Sequence, residues 1–92
     1  MDSIGTDEFW QLYRQLPRDI RKAAQEKYAL WQEDHSHPSL RFKPISKNQP
    51  VYSARVNEHY RVLGLLEKDE DTIYWFWIGT HTEYDLLIKK YR

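Results

Sequence analysis

The sequence predicts an α+β fold, with two N-terminal helices packed on a mainly antiparallel four-stranded sheet and a short helix following the last strand. Three observations carry this prediction. Val51–Val56, Tyr60–Leu66 and Thr72–Ile78 are β-branched and aromatic runs separated by the short polar links Asn57-Glu58-His59 and Lys68–Asp71, the signature of a strand meander. Before them lie two amphipathic stripes at helical spacing, and after them Thr80 and Glu83 stand at capping-box spacing.

The first helix is expected over residues 7–16. Thr6 is its N-cap, Asp7 and Glu8 complement its dipole, and Phe9, Leu12, Tyr13 and Leu16 make its apolar stripe. Pro17 ends it and opens a second helix over 18–34 that buries Ile20, Ala23, Ala24, Tyr28 and Trp31. His35 to Pro38 interrupts that helix. Leu40 to Pro44 then alternates, Leu40 and Phe42 to one side and Arg41 and Lys43 to the other, and reads as a short edge strand over 40–44. Strands follow at 51–56, 60–67 and 72–78, and a helix at 80–91 carries Tyr84, Leu87, Ile88 and Tyr91.

Pairing Val56 with Tyr60 and Glu67 with Thr72 assigns the faces of the sheet. One face then carries Val51, Ser53, Arg55, Arg61, Leu63, Leu65, Tyr74, Phe76 and Ile78. The other carries Tyr52, Ala54, Val56, Tyr60, Val62, Gly64, Leu66, Ile73, Trp75 and Trp77, with Gly64 making room for the facing Trp75. The second face is the helix-covered core. The first is apolar at one end and doubly cationic at the other, because Arg55 falls opposite Arg61. Facing like charges cost about 0.2–1 kcal/mol, a cost that binding an anion would offset; a register shifted by one would separate them.

Composition narrows the function. The 92 residues are expected to form one domain, 1–92, with a small core enriched by four Trp, seven Tyr and three Phe. There is no cysteine, which excludes a disulfide framework, a thiolate nucleophile and a zinc-thiolate site. His35 and His37 lack a completing carboxylate pattern, so no metal and no cofactor is implied. No run is long and apolar enough for a membrane span and no leader pattern precedes the first helix, so a cytoplasmic location is expected. The 14 basic and 14 acidic residues cancel, but Arg41, Lys43, Lys47, Arg55 and Arg61 fall in one stretch with Glu58 as its only acid. His81, in the first turn of the last helix beside free backbone N–H groups, is expected near Arg61, and Tyr84 follows one turn later.

The ordered pattern Leu40-Arg-Phe-Lys43, Tyr52-Ser-Ala-Arg-Val56, Tyr60-Arg-Val-Leu63 and Trp77-Ile-Gly-Thr-His-Thr-Glu-Tyr84 resembles the RelE/ParE toxin superfamily of type II toxin–antitoxin modules. The resemblance implies a toxin neutralised by a cognate antitoxin protein, and in many members an endoribonuclease that cuts mRNA on the ribosome. Carried over by position, Arg41, Lys43, Arg55 and Arg61 would contact RNA phosphate, Arg55 and Arg61 would also stabilise the transition state, and His81 and Tyr84 would handle protons. Such cleavage uses the RNA's own 2′-hydroxyl and needs no metal. A neutral chain attracts RNA weakly at long range. A ParE-like inhibitor of DNA gyrase and a catalytically silent antitoxin-binding module therefore stay open as alternatives.

Overall fold

The computed structural model describes residues 1–91 and confirms the expected class, with one strand more. The chain runs β1 (Asp2–Gly5), α1 (Asp7–Arg14), α2 (Arg18–Glu33), a 3₁₀ turn at Pro38–Leu40, β2 (Lys43–Pro44), β3 (Val51–Arg55), β4 (Tyr60–Glu67), β5 (Thr72–Thr80), α3 (His81–Leu87) and a final 3₁₀ turn at Ile88–Tyr91. The sheet order is β1-β5-β4-β3-β2, antiparallel except for the parallel β1–β5 edge. The sequence does not predict that edge. Met1 to Thr6 has little strand propensity of its own, and it becomes a strand by bonding to β5, with the Thr6 N–H donating to the Trp75 carbonyl at 2.9 Å.

Both helix starts follow their local signals. The Thr6 hydroxyl accepts from the Phe9 N–H at 3.2 Å, and Thr80 and Glu83 form a complete capping box. Three expectations are corrected. The strand at 40–44 shrinks to Lys43–Pro44, since Pro38 starts a 3₁₀ turn that buries Leu40 and leaves Arg41 left-handed at φ 46°, ψ 39°. The helix at 80–91 tightens into a 3₁₀ turn after Leu87. Tyr28 stays 39% exposed, stacked on Trp31 and hydrogen-bonded to Ser3.

The largest correction lies in β5. Gly64 pairs with Trp75 and Leu63 with Trp77, so Phe76 is the extra residue of a β-bulge. The bulge exchanges the faces of the two residues after it. Trp77 joins Phe76, Leu63, Val51, Tyr84 and Ile88 on the front of the sheet, whereas Ile78 joins Val56, Leu66, Ile73 and Trp75 on the back. Without the bulge β5 would carry Ile78 opposite Arg61; with it, Gly79 stands there. A Cβ on Gly79 would come within 2.6 Å of the Trp77 ring, so the displaced indole lies over a residue that has no side chain to obstruct it.

The back of the sheet and the helical hairpin enclose the main core. Trp31 stands edge-on to Trp75 at 5.5 Å between ring centroids, and Phe9, Leu40 and Phe42 pack around the pair. Gly64 is required here, because an added Cβ would sit 2.7 Å from the Trp75 ring and 2.8 Å from Ile73. An apolar cavity of about 200 Å³ remains between α2 and the sheet. On the front, α3 and the final 3₁₀ turn cover only the end of the sheet occupied by Val51 and Leu63. The other end stays open.

Candidate functional site

The open end is built from the β3–β4 hairpin. Its register places Arg55 directly opposite Arg61, as the hairpin link predicts, and Gly79 completes the row across β5. The Asn57 side-chain oxygen accepts from the N–H groups of His59 and Tyr60, both at 2.9 Å, and fixes the turn. That turn then holds Arg61. The Arg61 Nη1 donates to the carbonyls of Asn57 at 2.6 Å and Tyr60 at 3.0 Å, which orients the guanidinium and leaves its other N–H groups for a ligand.

Arg41 and Lys43 approach from the segment beside β3, Lys43 in register with Ser53. With Arg55, Arg61, Ser53, His81, Tyr84 and Asp85 they line one cleft of about 240 Å³. All six predicted site residues therefore meet in one place. Among the described residues, none of the four cations makes an ion pair with a carboxylate. Burial and then the neighbouring charge of Arg55, with a further contribution from Arg41, push the Arg61 guanidinium below its ordinary pKa, against the opposing pull of Tyr84 and Asp85. Arginine stays protonated at any working pH, so the strain is electrostatic and an anion relieves it.

His81 is the first residue of α3. Its backbone N–H donates to the His59 carbonyl at 2.7 Å, which ties the helix to the hairpin turn that holds Arg61. Its ring lies edge-on to Tyr84 at 5.8 Å, and its Nδ1 is 3.0 Å from the Asp85 carboxylate. The expectation of free N–H groups at this helix start is narrowed, since the His59 carbonyl engages that of His81 and the Thr80 hydroxyl that of Glu83. Anion binding here falls to the side chains. Tyr84 is buried at 7% exposure, and its hydroxyl donates to the Ser53 hydroxyl at 3.1 Å, so that the pair forms the cleft floor.

Sequence reasoning missed Ser53, Asn57 and Asp85 as parts of the site. Strand alternation from Arg55 already places Ser53 on the cationic face, and the i+4 spacing from His81 marks Asp85. Asn57 gave no sign beyond its place in a turn. The neighbouring histidines have other partners: His35 packs against Trp31 and Phe42, and the His37 ring accepts from the Ser39 N–H at 3.2 Å. Among the described residues no group of three His, Cys, Asp or Glu side chains is placed to hold a metal ion. None of their helices is long and apolar enough to cross a membrane.

What the cleft can do follows from its size and charge. A volume of about 240 Å³ is below the roughly 300–1,000 Å³ that encloses a whole small ligand, and suits a part of a longer one. Several unpaired guanidinium and ammonium groups around an imidazole match a phosphodiester flanked by a proton acceptor.

A family model described as a ParE-like toxin domain matches residues 18–85. No curated protein matches the chain by sequence. Among solved structures, the toxin of a RelB–RelE antitoxin–toxin complex from Methanococcus jannaschii superposes with a TM-score of 0.70 at 21% identity, covering 90% of this chain and 96% of that one. The RelBE2 toxin–antitoxin complex of Mycobacterium tuberculosis gives 0.65 at 20% identity, covering 87% and 96%. A YoeB/ParE toxin from Agrobacterium tumefaciens gives 0.68 at 10% identity, covering 88% and 99%. At these identities the likeness is one of fold.

Proposed function

The chain belongs to the ParE-like toxin domain family, among the RelE/ParE-like toxins of type II toxin–antitoxin systems, and from that premise we propose that it is a metal-independent endoribonuclease acting on mRNA at the ribosome. The observation that carries this reading is the convergence of Arg41, Lys43, Arg55 and Arg61, free of ion pairs among the described residues, around His81 in one cleft. In the proposed reaction the RNA 2′-oxygen attacks the adjacent phosphorus and the bond to the 5′-oxygen breaks, which leaves a 2′,3′-cyclic phosphate and a 5′-hydroxyl. His81 takes the 2′-hydroxyl proton, a contribution of about 10²–10⁴-fold for a well-placed base. Arg61, fixed by two carbonyls, and Arg55 beside it stabilise charge on the phosphate oxygens. Arg41 and Lys43 hold the flanking backbone, and Tyr84, whose hydroxyl donates to Ser53, supports the scissile group from the cleft floor; on this reading its O–H turns from Ser53 to give the leaving 5′-oxygen its proton.

The test is to add the purified protein to translating ribosomes with a defined messenger and map new 5′ ends beside an Arg61→Ala control. A cut that requires Arg61 supports the reading, and an intact messenger with folded protein ends it. One pair of observations favours a second reading, inhibition of DNA gyrase. The matching family is described as ParE-like, and the formal net charge is zero, against the basic character that suits binding to ribosomal RNA. On that reading the protein stabilises gyrase–DNA cleavage complexes and leaves RNA whole. A silent antitoxin-binding module does neither. In all three cases we propose that a cognate antitoxin is the chain's partner, in keeping with the toxin–antitoxin complexes among the matched structures.

A further inference from the structure

We infer that Asp85 is a positioning residue for His81, holding the imidazole as the Nδ1–H tautomer so that Nε2 is the basic nitrogen offered to the RNA 2′-hydroxyl. The inference rests on the ribonuclease reading above. Its starting point is an oddity of charge: among the described residues lining the cleft, Asp85 is the one carboxylate amid four cations. In a site for a phosphate a carboxylate opposes binding, so its presence needs another reason.

The geometry supplies one. Asp85 Oδ2 lies 3.0 Å from His81 Nδ1, one helical turn along α3. A carboxylate only accepts, so the neutral ring that keeps this bond carries its proton on Nδ1 and its lone pair on Nε2. The backbone that carries the ring is held in place. The capping box at Thr80 and Glu83 sets the start of α3, the His81 N–H is bound to the His59 carbonyl, and Tyr84 stands edge-on to the imidazole. Once Nε2 has accepted the proton, the imidazolium shares the cleft with Arg55, Arg61, Arg41 and Lys43, and the Asp85 carboxylate is the negative charge beside it. A simple helix pair would give Asp85 no dependence on His81 chemistry. That difference is measurable.

Two readouts decide the matter. The first, ¹⁵N NMR of the neutral His81 ring in the free protein, is independent of activity: Nδ1 is expected to be the protonated nitrogen, and Asp85→Asn is expected to give a mixture of tautomers. The second is ribosome-dependent cleavage by Asp85→Asn, Asp85→Glu, His81→Ala and the His81→Ala/Asp85→Asn double variant. Asp85→Asn is expected to slow cleavage about tenfold and Asp85→Glu to recover part of the loss, while Asp85→Asn lowers the residual rate of His81→Ala by less than twofold. An Nε2–H ring in the wild type, or an equal effect of Asp85→Asn with and without His81, overturns the inference and leaves the ribonuclease reading standing. If the wild type cuts no RNA, the reading and the inference fall together.

Discussion

The two faces of the sheet are made by alternate residues of the same strands, yet they are finished differently. On the back, Trp75, Ile73 and Leu66 are buried under the helical hairpin, whose Trp31 packs on Trp75. On the front, α3 covers Val51 and Leu63 and stops, which leaves the Arg55–Arg61 pair open, while the Trp77 indole lies over Gly79 beside it. The back face carries the stability that allows the front to hold two guanidinium groups opposite each other. The folding energy thus lies on one side of the strand pair, and the proposed function puts the ligand chemistry on the other.

That division can be broken from either side. Trp75→Ala removes the indole at the centre of the back face and is expected to cost about 3–5 kcal/mol, read as a lowered denaturant midpoint. A loss below about 1 kcal/mol would mean that the back face is not the anchor. Arg61→Ala is the converse experiment. On the proposed function, cleavage on the ribosome should fall about 10²–10³-fold, the scale of one lost transition-state donor, equivalent to about 2.7–4 kcal/mol. Stability should move by less than about 1 kcal/mol, since the two carbonyl bonds are lost together with the repulsion from Arg55. A large drop in melting temperature would make Arg61 a structural residue.

Smaller effects sharpen the same contrast. Gly64→Ala pushes a methyl group into Trp75 and Ile73 and should destabilise by about 1–3 kcal/mol, with the arginine register intact in cross-strand NOEs. Thr80→Ala opens the capping box at the start of α3, at a cost of about 1 kcal/mol in chemical denaturation. The smallest effect is a pH dependence. Hydrogen bonds from the Thr80 N–H and hydroxyl hold the Glu83 carboxyl below its ordinary pKa. Because the folded value is the lower one, the stabilisation is present above the usual carboxylate range and fades as pH falls through the folded value. Melts of wild type and Glu83→Gln should therefore differ at neutral pH and converge in acid; a difference that persists in acid would assign the effect to packing.

Local chemistry explains which parts of the site were legible beforehand. The three-residue link Asn57–His59 fixes the hairpin register, so the facing of Arg55 and Arg61 could be read from the chain. The caps at Thr6 and Thr80 were equally plain, since each acts within one turn of helix. The β5 run was not: in Tyr74-Trp-Phe-Trp-Ile78 every residue suits either face, so alternation does not reveal a bulge. Nor did Leu40 to Lys43 show that Arg41 turns left-handed, since the alternating pattern of a strand and the buried Leu40 of a 3₁₀ turn look alike in sequence.

The α+β class, the helical hairpin, the meander and its paired arginines follow from local sequence, because each depends on periodicity, a cap or a short link acting over a few residues. Tertiary structure decided the fifth strand, the exchange of Trp77 and Ile78, and the joining of Arg41 and Lys43 to His81 and Asp85 in one cleft. Those features arise from pairings across the whole chain. β1 is a strand only against β5, and the bulge persists where Phe76 and Trp77 both pack on the α3 side of the sheet.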